Sequence, residues 1–245
     1  MSVTQRIGGA RVPRYGRWMN RRFVLIAAPL ALLLLGAAPA RKAPPPAPLP
    51  DHVTVVLTTE LGQITLELDH KHAPITVENF VHYVDTKRFD GMVFYRAMRL
   101  AWGTPPNGLV QAGVQNDPRK LFKPIAHEST LKTGLSHTAG ALSMARLAPG
   151  TATADFSIML SDLTGLDADP KAADPDAREG YAVFGRVSGR MDVVRKIFDA
   201  PVSATKGVGA MKGQMIEKPV KVLTARRIAA PGCSLIKPAA VACGS

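Results

Sequence analysis

Cysteine is scarce in this 245-residue chain. Only Cys233 and Cys243 are present, and both lie beyond residue 230. A disulfide between them would close a small loop and constrain the C-terminal tail, whereas free thiols or a bond to a partner fit the sequence equally well. The body of the chain therefore has no disulfide framework. Its length allows a hydrophobic core that is stable without one.

Acidic residues are absent from the first 40 positions, which hold six of the 31 Lys and Arg residues. The remaining chain has 25 basic residues against 19 acidic ones, so half of the formal net charge of +12 belongs to the leader. Nucleic-acid-binding faces typically interleave basic blocks with aromatic residues, and the later part of the chain does not show this pattern. We therefore expect no nucleic-acid partner.

A long hydrophobic run is also missing. The apolar stretch from Phe23 to Leu35 is shorter than the roughly 20 residues that span a membrane. It follows the Arg21-Arg22 pair and ends at Ala38-Pro39-Ala40, a cleavage pattern of small residues. The sequence predicts a signal peptide over residues 1–40, and a periplasmic or secreted protein without stable membrane insertion after cleavage. An uncleaved N-terminal anchor is the alternative.

The chain divides into four segments by composition. Met19 is an alternative start within the signal peptide, because Met-Asn-Arg-Arg alone makes a compact basic region. Residues 41–50 hold five prolines, which favour an extended linker. We expect one folded domain over residues 51–229, followed by the cysteine-containing tail 230–245.

The folded region shows short strand patterns and two separate helical patterns. Helices are predicted from Pro74 and over Met191–Phe198, where apolar residues recur at helical spacing. Strands are predicted at 53–58, 63–68, 93–98, 140–145, 155–160, 181–187 and 220–228. Seven or eight strands with two helices separated in sequence favour a closed antiparallel barrel with helices over its ends, since closure removes exposed strand edges.

The strand VFYRAM (93–98) is followed by GLVQAG, GALSMAR, ADFSIML and GYAVFGRV, in that order. Over residues 53–228 this series resembles the cyclophilin family of peptidyl-prolyl cis/trans isomerases, in particular its bacterial periplasmic branch. The resemblance implies a mainly β fold, a closed antiparallel eight-stranded barrel capped by two helices.

The reaction of that family needs little from the protein. Rotation about an X–Pro bond has a barrier of about 18–20 kcal/mol because the amide is conjugated, and no bond is broken. No nucleophile, metal or cofactor is required, and we expect none. A donor directed at the proline nitrogen and an apolar pocket suffice. The resemblance implies that Arg96 is this donor and that Gln111 steadies both Arg96 and the substrate.

The resemblance also implies the substrate-binding residues. The backbone of Ala145 and Arg146 matches the stretch that binds the substrate main chain, and Leu166 and Tyr181 match pocket positions. The implied substrate-binding set is Leu109, Ala145, Arg146, Leu166 and Tyr181. Regular alternation along the strand places Phe94 and Arg96 on one face. We expect Phe94 and Phe184 to be core residues.

The chain departs from the family where the proline pocket has aromatic rings. Gly108 stands in the place of a Phe, Ser157 replaces the second Phe of a Gln-Phe-Phe block, and Gly165 stands where an aromatic is common. An aromatic side chain buries roughly 150–250 Å², so the loss of these rings would weaken binding of the substrate proline by several kcal/mol. Trp102 could fold back to refill the pocket, or could be an ordinary buried or surface residue.

Two functions from different classes follow. The first is an isomerase, expected to be monomeric, that acts on X–Pro bonds of unfolded or loosely folded exported polypeptides. The alternative is a catalytically weak or inactive peptide-binding or chaperone-like module, which the missing rings favour. A hydrolase built on Ser136-His137 lacks a nucleophile elbow. For His70 and His72 we expect solvated loop side chains and no metal site.

Overall fold

The computed structural model describes residues 48–228. The strands are β1 (His52–Thr59), β2 (Gly62–Asp69), β3 (Val93–Arg99), β4 (Gly108–Gly113), β5 (Ala141–Met144), β6 (Phe156–Met159), β7 (Val183–Gly189), β8 (Val202–Ser203) and β9 (Met215–Ile228). The helices are α1 (Pro74–Asp85), α2 (Thr130–Thr133), α3 (Pro175–Glu179) and α4 (Met191–Phe198). Short 3-10 turns cover Thr164–Leu166 and Gly209–Met211.

Eight of the strands form a closed antiparallel barrel. Their order is β1-β2-β7-β5-β6-β4-β3-β9, and β1 pairs with β9 to complete the circle. The two-residue β8 pairs only with β9. The predicted fold class is confirmed, since α1 and α4 are the two predicted helices and both contact barrel strands.

Two strands begin at least two residues away from their predicted starts. The closing strand begins at Met215 and not at Val220, because charged residues and Pro219 hide its first part from an apolar pattern. Strand β7 begins at Val183 and not at Tyr181, which lies in the preceding loop. This loop after Leu166 also contains the short helix α3, which the sequence analysis did not predict.

A cluster of aromatic side chains fills the barrel and the space beneath α1. Phe80 of α1 lies 5.2 Å from Phe156 and 5.3 Å from Phe184 between ring centroids. Phe94 and Phe184 are fully buried, as predicted. Helix α1 has no side-chain cap of its own, but the buried Glu128 carboxylate accepts hydrogen bonds from the Ile75 and Thr76 backbone N–H groups. That carboxylate satisfies donors that a helix N-terminus leaves unpaired.

The predicted alternation along β3 is wrong at Tyr95. Phe94 and Arg96 pair with the consecutive residues Ala112 and Gln111 of β4, so Tyr95 is the extra residue of a β-bulge. The register against β9 also shifts at this point. Phe94 therefore points into the core while Arg96 lines an open cavity on the other face of the sheet. Apolar–polar alternation does not reveal an inserted residue, so the sequence predicted the strand but not its bulge.

Several predictions fall on residues that the structure does not describe. The signal peptide 1–40, the alternative start at Met19, most of the linker and the tail with Cys233 and Cys243 all lie outside residues 48–228. Leu49, at the end of the linker, packs against the core. Within the described part, none of the helices has the length and apolar character needed to cross a bilayer.

Candidate functional site

One open cavity of about 540 Å³ brings the sequence-predicted residues together. Strands β3, β4, β5 and β6 form its floor, and the loop before β7 forms one wall. The predicted residues in its lining are Arg96, Leu109, Gln111, Ala145, Arg146, Leu166 and Tyr181. They come from five separate stretches of chain, so only the barrel places them side by side.

Two amide oxygens hold the Arg96 guanidinium. Arg96 and Gln111 are register partners on β3 and β4, and Arg96 Nη1 donates to Gln111 Oε1 at 2.9 Å. On the other side Arg96 Nε donates to Gln214 Oε1 at 2.8 Å. A third N–H faces the Met98 sulfur at 3.5 Å, which is a weak acceptor. A guanidinium has five N–H groups, so donors remain for a substrate.

The charge of Arg96 is not neutralised by a carboxylate. Arg96 takes part in none of the ion pairs formed between residues 48 and 228. Burial lowers the pKa of Arg96, while the nearby Tyr95 and Tyr181 hydroxyls act in the opposite direction. An arginine stays protonated despite such a shift. The cavity therefore contains a fixed cation with free donors.

Part of the apolar lining of the cavity belongs to a small cluster separate from the barrel core. Its buried members are Leu109, Ala141, Met159, Leu163 and Val183, with Met98, Leu100, Leu135 and Leu166 packed against it. Leu109, Met144 and Met159 supply apolar side chains to the floor, and Ser143 and Ser157 lie opposite each other on β5 and β6 within the lining. The idea that Trp102 refills the pocket is wrong. Trp102 is 64% exposed and does not line the cavity.

The stretch after β5 offers backbone groups to the cavity. The Ala145 N–H already donates to the Asp155 carbonyl at 2.9 Å, so Ala145 can offer only its carbonyl oxygen. The Arg146 side chain is turned away, because its guanidinium donates to the Gly180 carbonyl at 2.7 Å and lies 4.6 Å above the Tyr181 ring. Arg146 thus braces the loop that carries Tyr181.

Sequence reasoning missed two residues at this site. Gln214 lies 118 positions from Arg96 in a stretch without periodicity, and no local signal marks it. Asp155 lines the cavity, and its carboxylate accepts from the Tyr95 hydroxyl at 2.8 Å and from the Val114 N–H at 2.8 Å. Burial raises the pKa of Asp155, and these donors oppose the shift.

Ser136 and His137 do not form a hydrolase site. His137 is fully buried, its Nδ1 lies 2.5 Å from Asp167 Oδ1, and its Nε2 lies 2.8 Å from the Ser143 hydroxyl. Ser136 instead donates to the other Asp167 oxygen. Ser143 is almost fully buried in the middle of β5, and no exposed nucleophile results. Burial lowers the pKa of His137, with Asp167 opposing the shift.

Each of the two histidines near the end of β2 pairs with one carboxylate. His70 faces Glu78, and His72 is hydrogen-bonded to Asp69. Over residues 48–228 no three His, Cys, Asp or Glu side chains are grouped so that they could hold a metal ion.

Comparisons with known proteins identify the family. Residues 54–226 match the profile of the family described as Cyclophilin type peptidyl-prolyl cis-trans isomerase/CLD. The chain belongs to this cyclophilin family. Its cyclophilin domain is 36% identical over 174 residues to a peptidyl-prolyl cis-trans isomerase of Acinetobacter baylyi, covering 69% of this chain and 82% of that protein.

Two further comparisons agree. Peptidyl-prolyl cis-trans isomerase A of Dickeya dadantii is 33% identical over 178 residues, which is 71% of this chain and 84% of that protein. The crystal structure of a Cryptosporidium parvum cyclophilin type isomerase superposes with a TM-score of 0.57 at 17% identity, covering 74% of this chain and 99% of the other. The second likeness supports the cyclophilin fold alone.

Proposed function

We propose that this cyclophilin domain accelerates cis/trans rotation of X–Pro bonds, with Arg96 donating a hydrogen bond to the prolyl nitrogen. The observation that supports this most is the guanidinium held between Gln111 and Gln214, without a carboxylate partner among residues 48–228, beside the apolar side chains of the cavity floor. A planar amide nitrogen is a poor acceptor. As the bond twists its lone pair leaves conjugation, so a donor fixed there binds the twisted state more strongly than either planar state.

The other residues hold the substrate. The proline ring would lie on Leu109 and Leu166, with Tyr181 at the edge of the pocket. The Ala145 carbonyl and the Arg146 N–H, which make no hydrogen bonds within residues 48–228, would bind the main chain in extended form. Gln111 would contact both Arg96 and the substrate backbone. No proton is transferred and no covalent bond changes.

The substrates we propose are unfolded or loosely folded exported polypeptides, with this protein as a monomer in the periplasm or secreted. The leader pattern of Arg21-Arg22, an apolar run and a small-residue cleavage site supports export. N-terminal sequencing of protein recovered from cells tests it. A mature start at Arg41 agrees with cleavage, and an intact leader in the membrane fraction would favour an anchored form.

The test of the activity compares the wild-type protein with Arg96→Ala on proline-containing peptides. We expect kcat/KM to fall by at least about a hundredfold, since a fixed electrostatic donor contributes about 2.7–4 kcal/mol. The matched control is Arg186→Ala, because Arg186 is exposed, pairs with Glu67 and lies outside the cavity. Wild-type turnover that Arg96→Ala leaves unchanged, with an intact circular dichroism spectrum, would contradict the assigned role.

The second candidate is a peptide-binding or chaperone-like module with little turnover. The observation that favours it is the floor, where Ser157 supplies no aromatic ring to the lining. Peptide binding that is measurable by fluorescence anisotropy, with no isomerisation of several peptides, would select this function over the enzyme.

A further inference from the structure

Asp155 is a carboxylate in the substrate cavity without a cationic partner. It lines the same cavity as Arg96, is partly exposed, and takes part in none of the ion pairs among residues 48–228. A partly buried charge is costly when it is unpaired, so such a group in a cleft indicates a site where something binds.

Neutral donors fix the position of this carboxylate without neutralising it. Asp155 Oδ1 accepts from the Val114 N–H at 2.8 Å and the Gln115 N–H at 3.2 Å, and Oδ2 accepts from the Tyr95 hydroxyl at 2.8 Å. All three are donors, so the ionised form satisfies every contact. The carboxylate keeps unused lone pairs, because two oxygens offer about four acceptor sites.

The two arginines of the lining leave this charge unopposed. The Arg96 guanidinium is bonded to Gln111 and Gln214, and the Arg146 guanidinium is bonded to the Gly180 carbonyl and to Asp176. Neither makes a contact with the Asp155 carboxylate. The negative end of the cavity is therefore open to a cation brought by the substrate.

Asp155 also lies beside the path proposed for the substrate main chain. Its own carbonyl oxygen accepts from the Ala145 N–H at 2.9 Å, so the two backbones are adjacent like neighbouring strands, about 4.8 Å apart. A lysine or arginine on the bound chain can lay its apolar stem over the cavity wall, where Thr151 and Thr153 line the surface, and bring its charged end to Asp155.

We propose that Asp155 forms a subsite that binds a lysine or arginine side chain of the polypeptide whose X–Pro bond lies at Arg96. The proposal rests on the proposed function of the cavity and narrows its substrate class to segments with a basic residue before the proline. Since a partly exposed ion pair contributes up to about 1 kcal/mol, we expect about a fivefold preference for a basic residue.

The experiment uses the full chain and three peptide series that differ only in one residue. Lysine, methionine or glutamate is placed in turn at each of the three positions before proline, and both kcat/KM and the Kd by fluorescence anisotropy are measured. We expect lysine to exceed methionine by about fivefold at one position, and glutamate to be poorer than methionine there. The preference should disappear near 1 M salt, where the Debye length is about 3 Å.

Asp155→Asn tests the residue, because asparagine keeps the shape and one acceptor oxygen. We expect the lysine-to-methionine ratio to fall to about one. The matched control is Asp162→Asn, since Asp162 also caps a backbone N–H, that of Ala139 at 2.8 Å, but does not line the cavity. The salt titration of the wild-type protein decides the matter independently if Asp155→Asn fails to fold.

The outcomes separate the two proposals. Isomerisation of all peptides at equal rates, with equal Kd values, would overturn the basic subsite and leave the isomerase function standing. Absence of turnover with tighter binding of the lysine series would support the subsite and overturn the isomerase function. A lysine preference that Asp155→Asn retains would place the recognising group elsewhere and overturn the proposal.

Discussion

Gln214 offers the most informative test of how Arg96 is positioned. Its Oε1 accepts from Arg96 Nε at 2.8 Å, and its backbone carbonyl accepts from the Ala97 N–H at 2.9 Å, which ties it to β3. Gln214 does not line the cavity, so it can act on a substrate only through Arg96. We therefore treat Gln214 as a positioning residue and predict that Gln214→Ala slows isomerisation without changing what the cavity contacts.

The magnitude follows from the bonds that remain. A hydrogen bond to a charged group contributes about 1.5–3 kcal/mol, and Arg96 keeps its bond to Gln111 in the variant. Water can also reach the freed Nε–H group, because Gln214 is only half-buried. We expect the lower end, about 1.5 kcal/mol, which is roughly a tenfold loss of kcat/KM. Most of it should appear in kcat, because the donor acts on the twisted bond.

The assay measures kcat and KM separately for the wild-type protein, Gln214→Ala and the control Gln63→Ala, whose side chain is exposed on β2. Melting temperatures are measured alongside. A purely structural role would lower the melting temperature of Gln214→Ala and leave kcat of the folded fraction unchanged. That result, or a change confined to KM, would refute the positioning argument.

Three other changes test the pocket and the core. Ser157→Phe should raise kcat/KM on neutral peptides by about tenfold, since a ring restores apolar contact to the floor; an unchanged rate in a stable variant would contradict this. Gly108→Ala should destabilise the fold strongly, because the added Cβ would overlap the Met98 carbonyl and the φ of Gly108 is 140°. Its control is Gly165→Ala, where the added Cβ has open space and should change the free energy of unfolding by less than about 0.5 kcal/mol. Burial lowers the pKa of His137, so the unfolded chain binds a proton at a higher pH than the folded chain does. The free energy of unfolding, measured by urea denaturation, should therefore decrease as the pH drops below about 6.5, by at most about 1.4 kcal/mol per pH unit. His137→Gln should remove that part of the slope, and an equal slope in the variant would show that other groups cause it.

The barrel could be predicted from the sequence because its strands carry their own signals. Alternating apolar residues predict β1 and β2, and the ordered blocks around Arg96 and Gln111 indicate the family. The bulge at Tyr95 could not be predicted, because an inserted residue leaves the local pattern of β3 unchanged and is defined only by its partner strands. The contact between Gln214 and Arg96 spans 118 positions, so no local pattern indicates it.

The role of Asp155 was hidden for a different reason. Its place beside Phe156 and Ser157 can be read from the sequence, but its environment cannot. Within residues 48–228 it has no cationic partner, because Gln214 and the loop before β7 hold the guanidinium groups of Arg96 and Arg146 elsewhere. A charged side chain can be read from a sequence, whereas the state of its neighbours needs the fold.

The missing rings and Asp155 both bear on the binding energy of the substrate. The rings lost at Gly108, Ser157 and Gly165 would have contributed several kcal/mol to binding proline, while one ion pair at Asp155 supplies about 1 kcal/mol. Asp155 cannot restore the affinity for the proline ring, because it binds the side chain of a neighbouring residue. We therefore expect weak binding of the proline itself and selection by the residues before it. A neutral tetrapeptide would then report only the weak part of this recognition, so a low rate on such a peptide would not distinguish an inactive module from an enzyme whose substrates carry a basic residue.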